Sequence, residues 1–299
     1  MFQLISDGPC DFTNEEAKEQ NVGVVPAYVT FDQENYLKEG VEIDSEDYFK
    51  RLIAEKNLRP KTAQPNPQDY VDAFEPYLKE GKDILALTIS SKLSGSNASA
   101  NMAAEQLREE YPNQKIHVMD SQSVTIGQGL ILREMSKMRD AGYSLEDTVA
   151  LAEKVRETTR IYVTIDTLEY LRRGGRVGPT TALVGGILGL RPILQVENGE
   201  VSQLDNVRGK KHAYKLMEEG VVASLEDVKD DINICVGHIM SEDDANDFKT
   251  RMENALDIQI NIPVAKIGAA VGTHAGPGAM GFAYCRKYNA FNNEKDVVA

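Results

Sequence analysis

The stretch ILALTISSKLSGSNASANMAAEQLREEYPNQKIHVM (84–119) decides the fold class. Ile84–Ile89 is β-rich and apolar but for Thr88, and a serine-rich turn follows it. A helical pattern then runs from about Ser96 to Tyr111, and a second β-rich run sits at Ile116–Met119. Strand, helix and strand in alternation are the signature of α/β architecture. The pattern extends outward in both directions. Gln3–Ser6 and Val24–Phe31 are further strand candidates in the first half. A helix fits from Asn66, a good cap with Pro67 at the first position, to Gly81. Another fits from Thr125 to Ala141, stopped by Gly142, and Ser144 with Asp147 three residues on opens the next. The second half offers six strands: Ile161–Ile165, Ile193–Glu197, Val201–Asn206, Ile232–Gly237, Val264–Val271 and Met280–Arg286. Asn198-Gly199 is a type I′ hairpin signal, so the sheet there is mixed. Ser241 with Asp244 caps a further helix.

The chain has 299 residues, enough for two domains with separate cores. Counting strands places the boundary near 156–160, giving an N-terminal α/β domain at 1–157 and a C-terminal one at 158–299. A net charge of −14 argues against nucleic-acid binding, because nothing would neutralise the phosphates. Cys10, Cys235 and Cys285 are far apart and form no CxxC, so they read as free thiols of a reducing compartment. The opening MFQLISDGPC lacks a basic region followed by an apolar core. The uncharged stretches 177–190 and 267–285 are too short or too broken to span a bilayer. The expectation is a soluble, cytoplasmic protein.

Two polar loops lead into helices. Thr62-Ala63-Gln64-Pro65-Asn66-Pro67 is one, and Ser90-Ser91-Lys92-Leu93-Ser94-Gly95-Ser96-Asn97 is the other. Both set hydroxyls beside the unpaired N–H groups of a helix start, which suits an anion, although capping alone also explains them. A third loop, Gly272–Gly281, is rich in glycine and contains His274. Around Gly174-Gly175 stand Arg172, Arg173 and Arg176, a basic knot in an acidic chain that marks an anion-facing feature or an interface. The apolar run Ala182–Leu190 follows, laced with Gly185, Gly186 and Gly189. It reads either as a gate for an oily ligand or as a buried helix. No phosphate-binding glycine loop, nucleophile elbow or metal-ligand spacing is present, so no metal or cofactor is expected.

In order and spacing, SDGPCDF (6–12), TAQPNP (62–67), SSKLSGSNASA (90–100), DSQSVTIGQG (120–129), LRRGGRVG (171–178), GGILGLRPIL (185–194) and GTHAGPGAMG (272–281) resemble the DegV family. That family includes the fatty-acid-binding subunits of bacterial fatty acid kinase. Ala63, Asn66 and Ser96 depart from the residues common there. The resemblance implies an N-terminal parallel sheet, a C-terminal mixed six-stranded sheet, and a long-chain fatty acid enclosed between the domains. It implies that Thr62, Ser94, Gly95, Ser96 and His274 receive the carboxylate. Such a protein is a carrier without a nucleotide site, which presents the carboxylate to the separate kinase catalytic subunit for acyl-phosphate formation. Arg172, Arg173 and Arg176 would dock that kinase, or the membrane in transient contact. About twelve to sixteen buried methylenes at ~0.8 kcal/mol each contribute roughly 10–13 kcal/mol gross, so the tail supplies most of the affinity. The alternative is a serine-dependent acyl-ester hydrolase, with Ser94 as nucleophile, His274 as base and Asp7, Asp120 or Asp166 orienting the base.

Overall fold

Residues 2–55, 57–176 and 190–291 are described in the structure, a computed structural model. In chain order the strands are β1 (Phe2–Asp7), β2 (Val22–Val25), β3 (Tyr28–Thr30), β4 (Leu37–Lys38), β5 (Lys61–Ala63), β6 (Asp83–Thr88) and β7 (Ile116–Asp120). They continue with β8 (Arg160–Thr164), β9 (Leu190–Glu197), β10 (Glu200–Arg208), β11 (Ile232–His238), β12 (Ala265–Lys266) and β13 (Met280–Arg286). The helices of the first half are α1 (Asn14–Glu19), α2 (Ser45–Ala54), α3 (Pro67–Lys79), α4 (Ser96–Glu110), α5 (Thr125–Asp140) and α6 (Leu145–Thr158). Those of the second half are α7 (Glu169–Gly174), α8 (Lys210–Leu225), α9 (Glu242–Leu256) and α10 (Ala269–Ala275).

Side chains of β6 alternate between two cores. Leu85 and Leu87 join one cluster, Ile84 and Ala86 another, and none is exposed. A strand buried on both faces belongs in a parallel sheet covered by helices on each side. That sheet has the order β2-β1-β6-β7, all parallel. The second sheet, β10-β9-β8-β13-β11-β12, is antiparallel throughout except for the β11–β12 pair. Helices α3 and α4 cover the outer face of the first sheet, and α8 and α9 cover that of the second. Between the sheets lie α5 and α6. Leu130, Ile131, Met135 and Ala152 on these helices pack into one cluster with Leu4 and Leu87 of the first sheet and Ile161, Cys235 and Ala283 of the second.

The α/β expectation, the parallel N-terminal sheet and the mixed six-stranded C-terminal sheet are all observed. Asn198 and Gly199 both take positive φ, as a type I′ turn requires. Asn66 and Asp69 form a reciprocal capping box on α3. Asn66→Ala is expected to cost about 1 kcal/mol of stability, read as a lower urea midpoint.

Three expectations are corrected. The run 24–31 is two strands, because Pro26 interrupts the ladder and sends Tyr28–Thr30 into a separate antiparallel sheet, β4-β3-β5. Those short strands carry no readable alternation, and Thr62 and Ala63 belong to one of them. Only Ala265–Lys266 of the run 264–271 is strand; Gly268 then opens α10, so His274 lies in the last turn of a helix instead of a glycine loop. Ser241 occupies the N-cap position of α9 without a side-chain cap, and its N–H donates to His238 Nδ1 at 3.1 Å. Of the glycine-laced run, only Leu190, the first residue of β9, is among the described residues. Ala182–Gly189 lies outside them.

Candidate functional site

A largely apolar cavity opens where the parallel strands end and their loops turn into helices, facing the second sheet. Ile89, Leu93, Val124 and Ile126 line it from the first half, and Ile161, Val163, Leu194, Val196 and Val201 from the sheet opposite. Helix α10 adds Ala270, Val271 and Ala275. Such a lining favours a hydrocarbon and gives water few partners.

Polar groups gather on one wall. Thr62, Ser94, Arg176 and His274 all line the cavity, and Thr62 Oγ1 lies 2.9 Å from His274 Nε2. Thr62, Arg176 and His274 also line an outer groove with Arg59, Lys61 and Arg173. The Thr62–His274 pair thus borders both the apolar cavity and this outer groove, whose arginines and lysine are joined by Glu55 and Glu169. Burial, helped by the Arg176 charge, holds His274 down to about 4, so the ring is neutral near pH 7. Its Nδ1 is buried without a partner, and a Cβ on Gly174 would collide with that atom. An orphaned lone pair costs less than an orphaned N–H, so the proton belongs on Nε2 and is donated to Thr62 Oγ1. Thr62 is then left with its own O–H to offer onward.

Ser94 is prepared in a similar way. Its Oγ accepts the Ser96 N–H at 3.2 Å, which frees the Ser94 hydroxyl proton for another acceptor. The loop itself is anchored by Ser90, whose carbonyl accepts from Leu93 and Ser94 N–H groups. Ser90 Oγ donates to Gly199 O at 2.8 Å, tying the loop to the β9–β10 hairpin.

Two expected contributors act otherwise. Gly95 does not line the cavity. It is the N-cap of α4, and a Cβ there would come within 2.8 Å of Gln64 Nε2. Ser96 touches the cavity, but its hydroxyl donates to Asp7 Oδ2 and accepts from Tyr70. Asp7 is fully buried and also receives Gln128 Nε2 at 2.7 Å and the Ile89 N–H at 3.0 Å. Burial raises its carboxyl, and the hydrogen bonds from Ser96, Gln128 and Ile89 oppose that rise. Asp7 thus fixes the loop from beneath, a role that sequence spacing does not reveal.

The arginines part company. Arg172 and Arg173 are exposed, and Arg173 pairs with Glu169. Arg176 is half-buried, lines the cavity, and donates through Nε to Leu93 O at 3.2 Å. Thr125 was not singled out from sequence either. It is a buried β-branched residue on the cavity wall, held at φ 47, where such residues are rare and local strain is stored.

The hydrolase geometry is not assembled. His274 bonds Thr62, its Nδ1 faces no acid, and each proposed orienting aspartate is engaged elsewhere. Asp7 holds Ser96, Asp120 accepts the Gln122 N–H at 2.8 Å, and Asp166 pairs with Arg191. Among the described residues no group of three or more His, Cys, Asp or Glu could hold a metal ion. Nor is any helix there long and apolar enough to cross a membrane.

The family described as "Uncharacterised protein, DegV family" has a model that matches residues 1–287. A DegV domain-containing protein of Clostridium perfringens is 34% identical over 285 residues, 95% of this chain and 99% of its own. Among solved structures, a stearic-acid-binding protein from Eubacterium ventriosum superposes with a TM-score of 0.92 at 29% identity, covering 97% of this chain and 100% of that one. A fatty-acid-binding DegV family protein from Thermus thermophilus gives 0.85 at 27% identity, covering 95% and 99%. DegV of Bacillus subtilis, a fatty-acid-binding protein, gives 0.84 at 25%, covering 96% and 99%.

Proposed function

Because the chain belongs to the DegV family, we propose that it binds one long-chain fatty acid and delivers it to a separate kinase. The tail would fill the apolar cavity, between an N-terminal unit ending near residue 157 and a C-terminal one. Thr62 and Ser94 would donate their hydroxyl protons to the carboxylate. His274 would act through Thr62, and Arg176 would add a nearby positive charge. The observation that carries this reading is the 2.9 Å Thr62–His274 pair at the polar end of an otherwise aliphatic cavity.

The division of labour follows from magnitudes. Each hydrogen bond to a charged head contributes about 1.5–3 kcal/mol before desolvation is deducted, against ~0.8 kcal/mol for every buried methylene. The tail therefore sets affinity, while the polar wall sets where the carboxylate points. It would point at the pair that borders the outer groove, where a phosphoryl donor held by a partner can reach it. Arg59 and Lys61 around that groove suit an acidic partner surface or phosphate. The partner would bring the nucleotide, form the acyl phosphate, and leave this chain as carrier.

Native and denaturing mass spectrometry of the purified protein tests the reading. One releasable acid of long chain, or uptake of added palmitate or oleate at one per chain, is the expected result. A protein that releases none and takes up neither refutes it.

A further inference from the structure

Helix α10 carries His274 in its last turn and lines the cavity with Ala270 and Val271, so its seat decides where the imidazole stands. Its first turn rests on two carboxyl groups from distant parts of the chain. Glu39, next to β4, accepts the Ala270 N–H at 3.0 Å, and Asp11 accepts the Gly268 N–H at 3.0 Å. A Cβ on Gly268 would collide with Glu39 Oε1 and come within 3.1 Å of Asp11 Oδ1, so the two groups converge on one point. Asp11 Oδ2 is buried and has no partner. An enclosed carboxylate oxygen without a donor, set beside a second carboxyl, favours retaining a proton.

We propose that Asp11 and Glu39 keep their protons in the folded chain and act as positioning residues that seat α10, and through it His274, for carboxylate binding. The inference rests on the fatty-acid reading above. With both protons in place, the carbonyl oxygens accept the helix N–H groups and no charge is buried. Once Glu39 loses its proton, a negative charge stands in an enclosed space beside Asp11. The charge of Arg133 of α5 reaches Asp11, and that guanidinium is already paired with Glu16. Tyr48 of α2, Cys10 and Cys235 are each pushed up to about 12 by burial and stay neutral. Lys266 of β12 is engaged with Glu46. Burial lifts Glu39 to about 7, and burial together with the Glu39 charge lifts Asp11 well above the usual carboxylate range. Glu39 therefore ionises first while Asp11 keeps its proton, and because the seated Glu39 binds its proton more tightly than a solvated one, seating is strongest below the ordinary carboxylate range and weakens as pH rises through about 7. His274, held down to about 4, does not titrate in that window.

The test compares amide hydrogen exchange at 269–275, corrected for intrinsic rates, with palmitate affinity at about pH 5.5 and about pH 8. Protection and affinity are both expected to fall about tenfold in the wild-type protein and to stay level in Glu39→Gln, which cannot lose a proton. A level wild-type profile, or a Glu39→Gln protein that keeps the fall, would overturn the proposal. If that variant does not fold, carbon-13 NMR of the carboxyl-labelled wild type decides. One carboxyl titrating near neutrality is expected, and none titrating above about pH 6 overturns it. An exchange change without palmitate uptake at either pH would remove the fatty-acid reading while supporting the retained protons.

Discussion

On the fatty-acid reading, Val163→Phe is expected to shorten the acid that the protein accepts. Val163 sits on β8, an interior strand of the six-stranded sheet, yet it is only half-buried. Its uncovered surface faces the cavity, which it lines with Leu194 and Val196. A phenyl ring there occupies space that the tail needs. Displacing about four methylenes at ~0.8 kcal/mol each removes about 3 kcal/mol, or roughly a hundredfold in affinity for an eighteen-carbon acid. Acids about four carbons shorter should be affected far less. Competition among saturated acids of graded length, read by native mass spectrometry, gives the profile. An unchanged preference would mean that the tail runs elsewhere.

The second large effect comes from a single methyl at the polar end. Gly174 closes α7 with its Cα against His274 Nδ1, so Gly174→Ala must push the imidazole away. Helix propensity alone would make alanine the better residue by about 1 kcal/mol, so any loss reflects the collision. Displacing the ring removes the donor that orders Thr62. Losing one charge-assisted hydrogen bond of about 1.5–3 kcal/mol predicts a ten- to hundredfold weaker complex with palmitate. Chain-length preference should remain as in the wild type, which separates this effect from that of Val163→Phe. Isothermal titration with palmitate measures it, and equal affinity would show that His274 stands apart from the carboxylate.

Much of the architecture was legible because its signals are local. The capping box at Asn66 and Asp69, the glycine that stops α5 and the Asn198-Gly199 turn each need only neighbouring residues. Three features were not legible, each for its own reason. Thr62 and His274 are separated by 212 positions, so their pairing depends on how the small antiparallel sheet and α10 are laid against each other. The small sheet leaves no mark in the sequence because its strands have two or three residues, too few to show alternation. Helix α10 was read as strand and loop because alanine, valine and glycine in 264–276 fit either pattern until packing decides. Ser96 shows the converse error. A hydroxyl beside a helix start suggested a ligand, and the buried Asp7 claims it instead.

The helical layer shared by both sheets has a mechanical consequence. Leu130, Met135 and Ala152 touch a common cluster that includes Leu4 on one side and Ala283 on the other. A clamshell motion would strip those contacts from one partner, at about 1.5–3 kcal/mol for each large side chain laid bare. That cost holds the two halves together. On the fatty-acid reading, cargo would enter and leave by a local parting of the outer shell, with the frame behind it standing still.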